Sequence, residues 1–361
     1  MDFRHFFDSK KISFIAIFAV LTTFSVVQAA DTPTVNSAAI DSHGAHGEGE
    51  FQPTDVIMEH ISDAHDWHLW GHSSIPLPVI LYTDKGFEFF LSSQFHHGEH
   101  DYRGKHYTYR LVDKKKIQVV NAAGQIDEEA SKKIWDFSIT KNVASMFLSV
   151  FLLLLIFTSV AKAYKKREGK APKGLQSFLE PIILFVRDDI ARPNIGHKYA
   201  RFMPLLLTIF FFIWINNLMG LIPIFPGAAN VTGNIAVTFV LAFIVLIVVN
   251  VNGNKYYWKH ILLPDVPWWL YPIMIPVELV GVISRPFALM IRLFANITAG
   301  HIIILSLISL IFVFKSLAIA PVSLAFVLFM NVLELLVAAL QAFIFTLLTA
   351  LFIGMAVEEH H

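Results

Sequence analysis

Apolar positions in this chain are sorted into long uninterrupted runs, and most of them lie after residue 140. Ala144 to Ala161 carries no charge and is followed by Lys165-Lys166-Arg167. It is long enough to predict a membrane-spanning helix, with Thr140 as its expected cap. Further spans are predicted at about 202–222 and 234–252. Between them Leu175, Phe178, Leu179, Ile182, Ile183 and Val186 recur at helical spacing, opposite Glu180, Arg187 and Asp188. That stripe predicts a helix lying on the membrane surface, kinked or begun by Pro181. Two final runs, at about 267–313 and 318–357, are abnormal. As helices rising 1.5 Å per residue they would be roughly 60–70 Å long, twice the hydrocarbon core of about 30 Å. Either they incline steeply, or the polar residues inside them break them.

The first 140 residues read differently. Arg4, Lys10 and Lys11, the run Phe14 to Val27 and the small-residue exit Gln28-Ala29-Ala30 suggest a secretory signal peptide over residues 1–30. Residues 31–135 are polar, with a Gly/His/Glu-rich linker from His43 to Glu50. Pro76 to Tyr82 and Phe87 to Leu91 flank Asp84-Lys85-Gly86, a hairpin signal. Tyr107 to Val112 and Ile117 to Val120 offer two more strands. The expectation is an all-α polytopic membrane protein of about five helices over residues 136–361. A small exported domain with some β-structure precedes it.

Composition supports this division. Of 361 residues 55% are hydrophobic and only 16% charged, against about 25% charged in soluble domains. The absence of cysteine excludes disulfides, thiolate metal sites and cysteine nucleophiles. Charge asymmetry gives orientation: residues 162–201 hold ten Lys and Arg, whereas the segment 222–233 holds none. The positive-inside rule places 162–201 in the cytoplasm, the N-terminal domain outside and the C-terminus inside.

Within the penultimate run the ionisable residues are Glu278, Arg285, Arg292 and His301. Arg292 is too deep to reach either interface easily. A mid-membrane arginine costs about 2.5–3.5 kcal/mol on insertion scales, so it marks a pairing partner or a watery path. Glu278, Arg285 and Arg292 are seven apart and Asn296 four further on, so a regular helix puts all four on one face. His301, nine beyond Arg292, falls on the opposite side. In the last run Glu334 and Gln341, again seven apart, share a face. His301 and Glu334 form an acid/base couple able to pass a proton, whereas an arginine stays charged and cannot. A fixed cation beside a relay attracts a deprotonated carboxylate and blocks protons from passing straight through. No acid of this chain stands obviously opposite it, so the carboxylate belongs to a partner.

The stretch Arg292-Leu-Phe-Ala-Asn296-Ile-Thr-Ala-Gly300-His301, preceded by Ser284-Arg285-Pro286, resembles the signature of subunit a of F-type ATP synthases. Leu340-Gln341-Ala342-Phe343-Ile344-Phe345, the ending Glu358-Glu359-His360 and the stretch Asn216 to Pro223 are similar to the same family. The likeness spans about residues 135–360. It implies two long, inclined helices and a proton-translocating stator with two aqueous half-channels, not an enzyme on its own. Arg292 would face a rotating ring of c subunits, with Asn296 and Gln341 as polar neighbours. His301 and Glu334 would line the outer half-channel, and Glu278, Ser284 and Arg285 the inner one. In some bacterial members the 301 and 334 positions carry glutamate and histidine, so the couple is exchanged here. Gly220 stands where an acid is often found, and the exported domain is longer than usual. Implied partners are the c-ring, the peripheral-stalk subunit b, the rest of the synthase and membrane lipid, in a bacterial inner membrane. No cofactor and no nucleic acid are expected. Whether protons or sodium ions move depends mainly on the ring.

A second reading is a histidine-rich metal transporter or sensor. Eleven of sixteen histidines precede residue 110. His60, His65, His68 and His72, with His96, His97, His100 and His106, offer nitrogen ligands but no standard spacing. A third reading, an autonomous cation channel, is disfavoured by Arg292. No phosphate-binding loop of the Gly-x-x-x-x-Gly-Lys type is present, so nucleotide chemistry falls to other subunits.

Overall fold

A computed structural model describes Ile57 and residues 63–358, except 71–72, 99, 113–115, 122, 168–169, 223–228, 264–265 and 315–317. The proposed signal peptide, the linker at 43–50 and residues 359–361 lie outside the described residues.

The N-terminal part is a small β-domain. β1 (Asp66–Trp70) and β2 (Ser73–Pro76) form an antiparallel pair. β3 (Pro78–Thr83) and β4 (Gly86–Leu91) form the hairpin announced by Asp84-Lys85-Gly86. Gly86 closes the turn at φ +128°, which favours glycine, and the Thr83 hydroxyl donates to its carbonyl at 2.9 Å. β5 (Tyr102–Arg103), β6 (Thr108–Val112) and β7 (Lys116–Val120) make a second sheet. A short helix α1 (Glu128–Ser131) leads to β8 (Trp135–Asp136), which pairs with β3. Val79, Leu81 and Phe90 of one sheet pack on Tyr109, Leu111 and Val119 of the other. All four sequence-read strands are present. The strands not foreseen, β1, β2, β5 and β8, have only five, four, two and two residues.

The chain then enters α2 (Lys141–Lys166). Thr140 occupies the N-cap position, but its side chain does not cap the helix. Asp63, far away in sequence, does so: its carboxylate accepts from the Asn142 amide at 3.0 Å and from the Thr140 hydroxyl at 2.7 Å. Enclosure pushes the Asp63 carboxyl above its ordinary value, opposed by those hydrogen bonds and by the Lys141 charge. Nearby, His65 Nε2 lies 3.3 Å from Asp136 Oδ2. Burial raises the Asp136 carboxyl, but the His65 contact and bonds from Ser138 outweigh it and hold the group below its usual range. Asp63→Ala is expected to weaken the first turn of α2 by about 1 kcal/mol, whereas Asp63→Asn keeps the acceptor. Amide exchange at Asn142 measures this, and unchanged exchange in the alanine variant would refute the capping role.

The remaining helices are α3 (Leu175–Phe185), α4 (Arg192–Ile195), α5 (Tyr199–Leu221), α6 (Ile235–Val251), α7 (Lys255–Leu262), α8 (Tyr271–Val313) and α9 (Ala320–Val357). The stripe read from the sequence does form a helix, α3, and the helix is continued rather than isolated. Pro181 lies inside it, and a π-helical stretch, Val186–Ala191, joins it to α4. Leu179, Ile183, Val186 and Ile190 are buried, while Leu175 and Phe178 stay exposed.

Four helical stretches are long and apolar enough to cross a membrane, and α6 with α7, bent by 103°, makes up to five. α8 and α9 run unbroken for 43 and 38 residues, so their polar residues do not interrupt them. Their lengths are about 64 and 57 Å, so neither fits upright in a core of about 30 Å. α5 is the central helix, with Leu206, Ile209, Phe212 and Ile213 fully enclosed between α2 and α9. α8 packs on α6 and α9 by one flank only. Val277, Val280, Ile283 and Phe287 of α8, and Leu324, Leu328 and Leu335 of α9, remain exposed.

Candidate ion-translocation site

α8 buries Pro286, Leu289, Met290, Leu293 and Ile297, which sit at helical spacing and define the flank against its neighbours. Everything polar on this helix is placed by its angle to that flank. His301 comes off one side of it. Its Nδ1 is hydrogen-bonded to Glu334 Oε1 of α9 at 2.7 Å, with side-chain exposures of 20% and 6%. Helix contact at this level is close: a Cβ on Gly300 would stand 2.8 Å from Glu334 Oε1, so the absence of a side chain at 300 makes room for the carboxylate. A Cβ on Gly220 of α5 would stand 3.9 Å from His301 Nε2. The imidazole therefore fills the space beside the position where an acid was expected.

Polar groups continue around the pair. Asn217 of α5 donates from Nδ2 to the Ala338 carbonyl of α9 at 3.2 Å and accepts from the Thr232 hydroxyl at 2.6 Å. Asn216 donates to Phe212 O at 2.8 Å. Asn216 Oδ1, Thr298 Oγ1 and Thr346 Oγ1 are buried without a hydrogen-bond partner among the described residues. Such atoms ordinarily hold water. Ser323 Oγ donates to Leu307 O, clamping the start of α9 to α8. Thr232 and Gly300 were not given a role on sequence grounds. Only their neighbours' motifs pointed toward them.

The four residues expected on one face of α8 lie on an unbroken helix and keep that register, but their side chains differ in surroundings. Arg292 and Asn296 are exposed, and Arg292 makes no hydrogen bond or ion pair among the described residues. Arg285 is half-buried and turns its guanidinium toward Phe352 of α9, 5.9 Å from the ring centroid. It lines a narrow cavity with Val249, Tyr257 and Phe352, and the Tyr257 hydroxyl donates to Asn250 Oδ1 at 3.3 Å. Glu278 is half-buried, and Ser284 is exposed with its hydroxyl donating to Gly281 O at 3.1 Å. A long flexible side chain lets Arg285 swing to a neighbour although its Cα is in register with Arg292. Gln341 is buried on α9 beside Ala338 and Ala342, and it makes no hydrogen bond to Arg292.

The described histidines of the β-domain do not gather into one cluster. Among the described residues no group of three or more His, Asp or Glu is placed to hold a metal. His65 is committed to Asp136, and the His96 and His100 rings stand edge to face 5.3 Å apart. His60, His72 and the side chains of His68 and His97 lie outside the described residues.

The profile of the ATP synthase A chain family matches residues 143–354, which contain every residue of the site. The chain belongs to the ATP synthase A chain family. It is a multi-pass membrane protein and a non-catalytic subunit of the synthase's membrane sector, whose family role is proton translocation. "ATP synthase subunit a" of Chloroherpeton thalassium is 50% identical over 233 residues, covering 63% of this chain and 69% of that protein. The protein of the same name from Myxococcus xanthus is 43% identical over 233 residues, covering 63% and 75%. One from Chlorobium phaeobacteroides reaches further, 39% identical over 328 residues, covering 89% and 80%. The likeness there extends into the β-domain. Residues 56–137 match a separate family, described as a domain of unknown function (DUF8433).

Proposed function

We propose that this chain is the stator that guides protons past a rotor carboxylate, with Arg292 as the fixed charge between two half-channels. The observation that carries the reading is the contrast on α8. His301 is paired at 2.7 Å with a buried Glu334, whereas Arg292 is exposed and has no hydrogen-bond or ion-pair partner among the described residues. A proton arriving from the outer side passes through the His301–Glu334 couple to an ionised rotor carboxylate. Once neutral, that carboxylate can turn into lipid. After nearly a full rotation it releases its proton into the inner half-channel near Glu278, Ser284 and Arg285. It then passes Arg292 as an anion. Asn296 and Gln341 flank the passage, and the exposed apolar surface of α8 and α9 is where the c-ring lies. Each charge moved across 100 mV supplies about 2.3 kcal/mol, so several must pass for each ATP made. The basic segment 162–201 lies in the cytoplasm and the β-domain in the periplasm of a bacterial inner membrane, with subunit b as a further partner.

His301→Ala and Glu334→Ala, each assayed in membrane vesicles, are expected to slow ATP-driven proton uptake about a hundredfold or more without preventing assembly, in the range of losing one proton-transfer group. Unchanged pumping in both variants would sink the outer half-channel assignment.

A further inference from the structure

The β-domain carries an apolar surface that its own core does not use. β3 alternates, with Val79, Leu81 and Thr83 turned inward and Pro78, Ile80 and Tyr82 turned out. Register across the hairpin places Leu91, Phe89 and Phe87 of β4 opposite these three, on the same outer face. Phe87 and Phe89 are each 71% exposed. On the other edge Trp135 stands opposite Tyr82 and is 51% exposed. A sheet face normally turns polar side chains to water. This one turns three aromatic rings and a tryptophan instead. A contiguous apolar surface of this kind marks an interaction site.

What covers it follows from where it leads. Beyond Trp135, Phe137 and Ile139 keep the outer edge of β3, donating backbone hydrogen bonds to Ile80 O at 2.8 Å and Pro78 O at 3.0 Å. Ile139 packs against the hydrophobic core of the membrane helices, and α2 starts two residues later. The apolar face is thus continuous with the membrane-embedded core and is built on the same strand that enters the span. The junction is tied: Lys141 N donates to Ala64 O at 2.9 Å, and Asp63 caps the helix. A domain held at the mouth of a span meets the bilayer surface at very high effective concentration. Trp and Tyr favour the headgroup boundary, where a ring has apolar surroundings and its polar edge has water, and phenylalanines beside them supply the apolar area that enters the acyl boundary.

We infer that the outer face of the β4–β3–β8 sheet rests in the interfacial layer of the leaflet where α2 enters, so that the β-domain is a lipid-seated foot of the subunit. The inference needs only that α2 spans the membrane. It is independent of the half-channel assignment.

The chain has no cysteine, so single labels can be introduced cleanly. The test uses the intact synthase in nanodiscs of phosphatidylcholine and phosphatidylglycerol, with a nitroxide at Phe87→Cys or Phe89→Cys and, as aqueous reference, at Gln125→Cys. The unsubstituted complex is treated identically as background. Collision with oxygen, which partitions into lipid, is compared with collision with a water-soluble nickel chelate. Expected is a several-fold higher oxygen-to-nickel ratio at 87 and 89 than at 125. A ratio equal to the reference overturns the inference, because the face is then in water. Low collision with both reagents also overturns it, because protein then covers the face. The exposed position of both rings lets a second variant be made without opening the core. In Phe87→Ser/Phe89→Ser, a label at Trp135→Cys is expected to gain nickel collision, and no gain counts against lipid seating.

Discussion

Replacing Arg292 with alanine is expected to abolish ATP-driven acidification of vesicles while the synthase still assembles. The side chain is exposed on α8 and bonds to nothing among the described residues, so its loss removes no internal contact. Insertion itself becomes easier by about 2.5–3.5 kcal/mol, the penalty for a mid-membrane arginine. On the proposed mechanism, what disappears is the permanent positive charge that an ionised rotor carboxylate would pass, and protons would then cross between the proposed half-channels without turning the ring. Arg292→Lys is expected to restore little, since an ammonium in a low-dielectric site loses its proton far more readily than a guanidinium does. Dye quenching in inverted vesicles, with membrane content of the chain measured in parallel, checks both parts. Normal pumping in the alanine variant would remove Arg292 from the mechanism.

The second large effect is structural. Gly354, near the end of α9, lies against α4: a Cβ there would fall 1.9 Å from the Asn194 carbonyl oxygen and 2.9 Å from its carbonyl carbon. These are backbone atoms of a short helix, further held by the Asn194 Nδ2 bond to Ile190 O at 2.7 Å, so they cannot swing aside. Gly354→Ala is expected to force α9 from α4 at a cost of about 3 kcal/mol, the upper range for overpacking. The loss should spread to the contacts closing the bundle end, where Asn254 donates from its backbone N to Ala356 O and from Nδ2 to Val357 O, both at 2.8 Å. Reduced chain content in membranes and a lower unfolding temperature of the complex are the expected readouts. Equal abundance and equal thermal stability would show that the contact yields.

These two residues differ in how visible they are in the sequence. Arg292 stands out because a charge amid some forty apolar-rich positions has a transfer cost that needs no structure to recognise. Gly354 does not stand out at all. Its importance is a distance to Asn194, 160 positions away in the chain, and no local pattern encodes it. The same division runs through the site. His301 and Glu334 were legible as an acid/base couple because ionisable residues in apolar runs are few, and the helices do bring them to 2.7 Å. Gly300, which makes room for the carboxylate, and Thr232, which holds Asn217, were not. Helical periodicity placed Arg285 in register with Arg292 but could not tell that its side chain would reach Phe352 instead.

Sequence alone determined the apolar spans, the length of the last two helices, the four principal strands and the ionisable residues set within the apolar runs. All of these depend on local quantities: side-chain hydrophobicity, a repeat of 2 or 3.6 residues, and the cost of charge in hydrocarbon. Only tertiary structure decided what each element meets. Thr140 sits where a cap belongs, yet Asp63 caps α2 across a gap of 79 positions. Leu179, Ile183 and Val186 of the α3 stripe meet the core whereas Leu175 and Phe178 stay exposed, and a π-helical stretch follows at Val186–Ala191. The outer face of β3 and β4 stays bare, because the second sheet covers only the inner one. Each outcome is set by which distant surfaces come within a few ångströms. Short-range pattern carries no information on that, because contact energy depends on separation in space and not along the chain.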